Sequence, residues 1–155
     1  MVDHELREAG PDDAGVVARL LHDFNTEFEA PTPSADEFRA RFAELLDRDD
    51  LLVLLSGPVE EPTGFAYVTL RPTPYWDGPL AQLEELYVRP ELRDRGIGTA
   101  LLEEVVHWAR HQGAEEMHLN VDEIDTDARR FYERYGFANN EPGEDDRMLF
   151  YMSVL

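Results

Sequence analysis

An α/β fold, with one mixed sheet and helices on both of its faces, is the class this 155-residue sequence predicts. Three observations lead there. Apolar residues switch along the chain between the two-residue period of strands and the 3.6-residue period of helices. Clusters of Gly, Pro and Asp punctuate those segments. The resulting order, βααβββαβαβ, fits a single covered sheet. The length suits one domain, taken as residues 1–155, with no internal repeat, low-complexity tract or domain boundary.

His4 to Ala9 reads as a short strand, closed by the turn Gly10-Pro-Asp-Asp13. Val16, Val17, Leu20, Leu21 and Phe24 then form a helical stripe. Pro31 and Pro33 mark a connection, and Ser34 is suited to cap a second helix whose apolar face carries Phe38, Phe42, Leu45 and Leu46. Leu51 to Leu55, Thr63 to Arg71 and Leu80 to Val88 read as three strands, with a Tyr75-Trp76 loop before the last. Between Gly96 and His111 the stripe Ile97, Leu101, Val105, Trp108 predicts a helix, and Gly113 sits where its C-terminal cap belongs. Met117 to Val121 is a strand, Asp125 to Tyr135 a helix ending at Gly136, and Met148 to Leu155 a final strand with alternating bulk. One more short strand is expected around Phe137.

Charge and composition narrow the function. The chain has no cysteine, which excludes disulfides, thiolate metal sites and a Cys nucleophile. No apolar run is long enough to span a bilayer, and the charged N-terminus lacks a signal-peptide core, so a cytoplasmic location is expected. Fourteen basic residues, all arginine, face thirty-four acidic ones for a net charge of −20. That surface disfavours nucleic acid and anionic membranes and favours cationic partners; genome composition or salt adaptation would produce the same bias.

The informative stretch runs from Leu86 to Leu102. A strand ends at Val88, and Gly96 and Gly98 open a helix. The first N–H groups of a helix lack intrahelical acceptors and carry partial positive charge. Glycines there let an anion approach, which makes a phosphate cradle. Arg89, Arg93 and Arg95 leave residues 89–95 with a net charge of +1 in an acidic chain. Two nucleotide motifs fail here: a Walker A loop needs a lysine, and a dinucleotide fingerprint needs a third glycine where Leu101 stands.

Arg93-Asp-Arg-Gly96-Ile-Gly98 resembles the Arg/Gln-x-x-Gly-x-Gly/Ala signature of the GNAT family of N-acetyltransferases. Downstream, Asp125-Thr-Asp-Ala128, Tyr132 and Gly136-Phe137 resemble that family's Asn-x-x-Ala-x-x-x-Tyr-x-x-x-Gly-Phe segment, in the right order and spacing. The resemblance implies a GNAT-like fold: a mixed, mostly antiparallel sheet with a splayed central strand pair and helices on both faces. It implies acetyl-CoA as co-substrate, its pyrophosphate on the backbone of Arg93, Asp94, Arg95, Gly96, Ile97, Gly98 and Thr99, and its pantetheine arm paired with Leu86, Tyr87 and Val88. A homodimer is a further expectation. The family's Asn is Asp125 here, a carboxylate near the cofactor that also suits a helix N-cap.

Acetyl transfer to an amine requires loss of an amine proton, a donor for the oxyanion and a proton for the departing thiolate. By resemblance Tyr132 is the general acid; the other reading makes it a core aromatic beside Phe131 and Tyr135. Strict alternation puts Glu84 on one face with Gln82, Leu86 and Val88, and Glu85 on the other with Leu83 and Tyr87. If the active face carries Val88, Glu84 is the base, through a water, or else a passive counter-charge. The oxyanion donor is a main-chain N–H near Leu86 or Val88. His107 and His111 lie four apart on a helix without a third ligand, so no metal site is assigned. The acceptor is a small-molecule or peptide amine, with Asn25 to Pro33, the Tyr75-Trp76 loop, Glu27, Glu29, Asp77 and Glu84 favouring a cation. A non-catalytic acyl-CoA-binding module and a nucleotide-binding regulatory domain are the competing readings.

Overall fold

The computed structural model describes residues 4–155. Strand β1 (Leu6–Glu8) leads through a 3₁₀ turn at Pro11–Asp13 into helix α1 (Ala14–Glu27). Arg7 fixes this corner by donating two hydrogen bonds, 3.0 and 2.9 Å, to the Asp13 carboxylate. Those bonds hold the Asp13 carboxyl below its ordinary pKa. Helix α2 (Ala35–Leu45) starts where the sequence places its cap. The Glu37 N–H donates to Ser34 Oγ at 3.2 Å, and the Ser34 N–H donates to the Glu37 carboxylate at 2.8 Å, a reciprocal pair that satisfies two end donors. Strands β2 (Leu51–Ser56), β3 (Gly64–Arg71) and β4 (Leu80–Val88) follow. Helix α3 (Ile97–His111), strand β5 (Met117–Leu119) and helix α4 (Thr126–Arg134) complete the order. The chain divides into two compact units, Met1–His118 and Leu119–Leu155.

The sheet runs β1-β2-β3-β4-β5, and its first four strands are antiparallel neighbours. β4 and β5 are adjacent but joined through α3, the long crossover that a parallel pair requires. Five successive aliphatic residues make β2 suitable for burial on both sides, and all of it is buried. Val53, Leu55, Phe65 and Tyr87 face α1 and α2, where they pack with Val17, Leu20, Leu21 and Phe42. Alternation turns Leu52, Leu54, Ala66 and Val68 to the opposite face. α3 packs on β2, β3 and β4 with Leu101, Leu102, Val105 and Ala109 buried. Each fully buried leucine or phenylalanine in these layers contributes about 1.5–3 kcal/mol.

β4 contains an irregularity that the alternating pattern does not reveal. Tyr67 pairs with Glu85, but the next residue of β3, Val68, pairs with Leu83. Glu84 is therefore an extra residue, and β4 bulges there. The bulge changes the faces. Glu85 lies with Tyr87 on the side of Tyr67 and Phe65, and Glu84 turns to that same side, its carboxylate accepting from Thr69 Oγ1 at 2.8 Å. The expectation that Glu84 and Glu85 point to opposite faces is thus corrected, because strict alternation fails across a bulge.

In the second unit α4 ends at Gly136, whose φ of 89° is the left-handed conformation of a helix stop. Two expected strands are not formed. Around Phe137 there is only an isolated bridge between Asn140 and Arg147, and Met148 to Leu155 is irregular. Strand conformation is stabilised by a ladder partner, and among the described residues no ladder runs along Met148–Leu155, whose first residue alone is tied back, the Met148 N–H donating to the Asn139 carbonyl at 2.6 Å. Its apolar side chains are consequently exposed. β5 is also shorter than expected, ending at Leu119 and not Val121.

Candidate active site

The loop between β4 and α3 is shaped by main-chain conformation. After a 3₁₀ turn at Pro90–Leu92, Asp94 and Gly96 both adopt positive φ, 60° and 84°. Such left-handed residues turn successive N–H groups toward a common point, a concavity that suits an anion. A side chain at Gly96 would be strained, and its Cβ would lie 3.3 Å from the His4 imidazole Nε2. Ile97 is buried and anchors the first turn of α3, leaving the N–H groups of Ile97 and Gly98 without intrahelical acceptors. Thr99 follows in the same turn. A loop of this form suits an anion bound through main-chain donors.

The arginines do something other than the charge count suggests. Arg89 pairs with Asp23 at 3.1 Å and donates to the Pro62 carbonyl. Arg93 donates from Nε to the Val88 carbonyl at 2.9 Å and from its terminal nitrogens to both oxygens of Glu27, at 2.8 and 3.0 Å. Its guanidinium also stands over the rings of Tyr87 and Phe28, 5.6 and 5.8 Å from their centroids. Asp23 and Glu27, one turn apart on α1, thus neutralise two of the three cations. Arg95 is exposed beside the loop. Helix termini and main-chain donors, more than net side-chain charge, supply the positive character there.

Leu86, Tyr87 and Val88 form the end of β4 next to this loop. β5 is three residues long against nine in β4, and it begins beside the opposite end of that strand, where the Ala81 N–H donates to the Glu116 carbonyl at 3.2 Å. The outer main-chain edge of Leu86–Val88 therefore extends past β5. Tyr87 itself is buried; it stacks on Phe24 with centroids 4.8 Å apart, and its hydroxyl lies 3.4 Å from Glu27.

Upstream on the same strand the bulge gathers a polar group on the α1–α2 side. Glu85 is half-buried, and burial, then the neighbouring Glu84 charge, raises its pKa from 4.5 to about 7. Tyr67, its partner across the ladder, packs edge-on against Phe42, and burial followed by Glu84 lifts its phenol above the ordinary value. Glu84 is exposed and held by Thr69. A fixed carboxylate beside one that titrates near neutrality can bind an ammonium and accept its proton. Glu85, Thr69 and Tyr67 escape alternation-based reading; the Glu-Glu doublet is their only trace in the sequence.

The remaining sites are peripheral or lie in the second unit. Tyr75 is exposed, whereas the Trp76 indole N–H donates to the Pro79 carbonyl at 2.9 Å and closes its own loop. His107 and His111 are exposed on α3. No cluster of three or more His, Asp or Glu suited to a metal occurs among the described residues. Asp125 caps α4, its carboxylate accepting from the Ala128 N–H at 3.1 Å. Tyr132 is half-buried, edge-on to Phe131 and Phe137 at 5.3 and 5.8 Å. No helix among the described residues is long and apolar enough to cross a membrane.

Comparison with known proteins agrees with this architecture. Residues 17–137 match the profile of the Acetyltransferase (GNAT) family. An aminoglycoside N(6')-acetyltransferase type 1 from Serratia marcescens is 29% identical over 130 residues, 81% of this chain and 85% of its own. A protein of the same name from Klebsiella aerogenes is 34% identical over 92 residues, 56% of this chain and 60% of its own. The crystal structure of an Arthrobacter sp. FB24 protein assigned as an acetyltransferase has a TM-score of 0.92 and 48% identity, covering 100% of this chain and 98% of that one. AAC(6')-Iy in complex with a bisubstrate analogue shares the fold at a TM-score of 0.77 and 22% identity, over 99% of this chain and 100% of its own. This chain belongs to the GNAT family and is an acetyl-CoA-dependent N-acetyltransferase.

Proposed function

We propose that the enzyme acetylates a primary amine of a small, cationic molecule, with Glu85 receiving the amine proton. The observation that carries this reading is the bulge, which sets Glu84 and Glu85 on one face a few residues before the coenzyme loop. The relatives named aminoglycoside N(6')-acetyltransferases support the acceptor class. Acetyl-CoA supplies an acyl group as an activated thioester. Gly96 to Thr99 hold its diphosphate by main-chain donors, and the open edge of Leu86–Val88 pairs with its pantetheine arm. A main-chain N–H near Leu86 or Val88 donates to the carbonyl oxygen as charge grows there. Glu85 takes the proton that the acceptor ammonium must lose before its nitrogen can attack. Glu84, which the sequence alone favours as base, serves instead as the fixed counter-charge, because it is exposed and held by Thr69 whereas Glu85 is half-buried. Tyr132 gives the proton to sulfur as the carbon–sulfur bond breaks, and the second nitrogen proton, lost as the amide forms, restores its hydroxyl; the match to the family segment supports that role.

The same reading takes residues 1–155 as one catalytic domain, since the family match runs across residues 118 and 119. A cytoplasmic homodimer completes it, supported by the exposed apolar side chains of Met148–Leu155, which a second copy would cover. The test is thiol release from acetyl-CoA with aminoglycosides, polyamines, amino acids and peptide N-termini. Fastest turnover is expected with polycationic small amines. Turnover confined to peptide N-termini would contradict the acceptor class.

A further inference from the structure

The side chain of Arg93 has more ties than any other in the coenzyme loop, and all of them are to groups of this chain. It contacts Val88, the last residue of β4, through the carbonyl, and it grips Glu27 at the end of α1 with a two-pronged ion pair 66 residues away in sequence. The rings of Tyr87 and Phe28 flank the guanidinium. The Tyr87 hydroxyl also reaches the Glu27 oxygen that Arg93 holds, so the three groups form one network. Three of the five guanidinium N–H donors, one on each nitrogen, are thus taken up by acceptors of this chain, and the ion pair fixes the direction of the fork.

We propose that Arg93 is a positioning residue: by clamping Glu27 to the Val88 carbonyl its side chain holds the coenzyme loop in its binding conformation, without the guanidinium being a phosphate ligand. The loop needs such a clamp. Asp94, the next residue, is a non-glycine residue at positive φ, a conformation that persists only where surrounding contacts enforce it. Arg93 fixes the chain immediately before that strained turn, and buried Ile97 fixes it immediately after. Between the two anchors the turn that leads into Gly96 keeps its direction, and with it the first N–H groups of α3. The inference rests on the reading that this loop binds the coenzyme diphosphate.

A double-mutant cycle on coenzyme A binding, measured by titration calorimetry, separates a clamp from a ligand. The variants are Arg93→Met, Glu27→Gln and the double variant, with Gly98→Val as a reference. Each single clamp variant is expected to weaken coenzyme A roughly tenfold, and the double variant to match the singles, because both remove one interaction. The KM for acetyl-CoA rises in parallel while kcat at saturation stays within about threefold. A residue with a purely stabilising role would lower the melting temperature and leave affinity unchanged. Direct phosphate ligation predicts the opposite sign at the partner: Glu27→Gln, which removes a competing carboxylate, would leave binding intact or tighten it. Either result overturns the proposal. If Gly98→Val binds coenzyme A at full strength, the loop reading itself fails and the clamp falls with it; if Gly98→Val loses binding, unchanged clamp variants count against the clamp alone.

Discussion

The loop that opens α3 and the bulge in β4 lie within one stretch of about fifteen residues, yet they present opposite chemistry. The loop offers main-chain N–H donors to an anion, and its arginines are largely spent on Asp23 and Glu27. The bulge carries two carboxylates, one exposed and fixed by Thr69, the other half-buried, which the proposed reading presents to a cation. One region works through absent side chains and the other through crowded ones. The coenzyme, whose diphosphate is the same for every acceptor, can be read by backbone alone. The acceptor must be read by side chains that can vary while the sheet stays the same.

The comparison is broken most directly by changing Glu85. Replacing it with Gln is expected to lower kcat by about 10²–10⁴-fold, the range of a general base, with coenzyme A affinity unchanged in calorimetry. A loss smaller than tenfold would return the proton to Glu84 or to water. The wild-type profile carries the same information: kcat/KM for the amine should rise as pH passes through about 7, where the Glu85 carboxyl ionises. Stability should move the other way. A carboxyl raised from 4.5 to about 7 in the folded state favours folding most below pH 4.5, and that contribution is lost as pH rises through 7. Glu85→Gln should therefore flatten the fall in melting temperature across this window.

Tyr132→Phe comes next in size. It is expected to cut turnover by roughly 10–100-fold and leave acetyl-CoA affinity within about threefold. Unchanged turnover would leave Tyr132 as packing between Phe131 and Phe137. The smallest effect belongs to Thr69→Val, which frees the Glu84 carboxylate without removing it. The KM of a cationic amine should rise by about two- to tenfold with kcat preserved, and Thr69→Ser should restore it. A fall in kcat with unchanged KM would assign the Thr69–Glu84 bond to the chemistry.

What could be read from the sequence follows the same division. The Arg-x-x-Gly-x-Gly run is legible as a candidate backbone site because glycine leaves neighbouring N–H groups uncovered, and Gly96 adopts the left-handed φ of 84° that glycine favours. The Ser34 and Asp125 caps, and the stops at Gly113 and Gly136, were legible for the same local reason. The bulge was not. It is a register difference between β3 and β4, set by how both strands pack, and no residue type marks it. The Arg93–Glu27 pair was equally hidden, since a contact across 66 residues has no local signature. The terminal stretch Met148–Leu155 misled in the reverse direction, its alternating bulk having the form of a strand without a ladder to join among the described residues.

The most direct measurement is a crystal structure of the enzyme with bound acetyl-CoA. The diphosphate should lie within hydrogen-bonding distance of the main-chain nitrogens from Gly96 to Thr99, with the Arg93 guanidinium still on Glu27. A diphosphate held elsewhere, or gripped by an Arg93 that has left Glu27, would contradict a coenzyme site built from backbone.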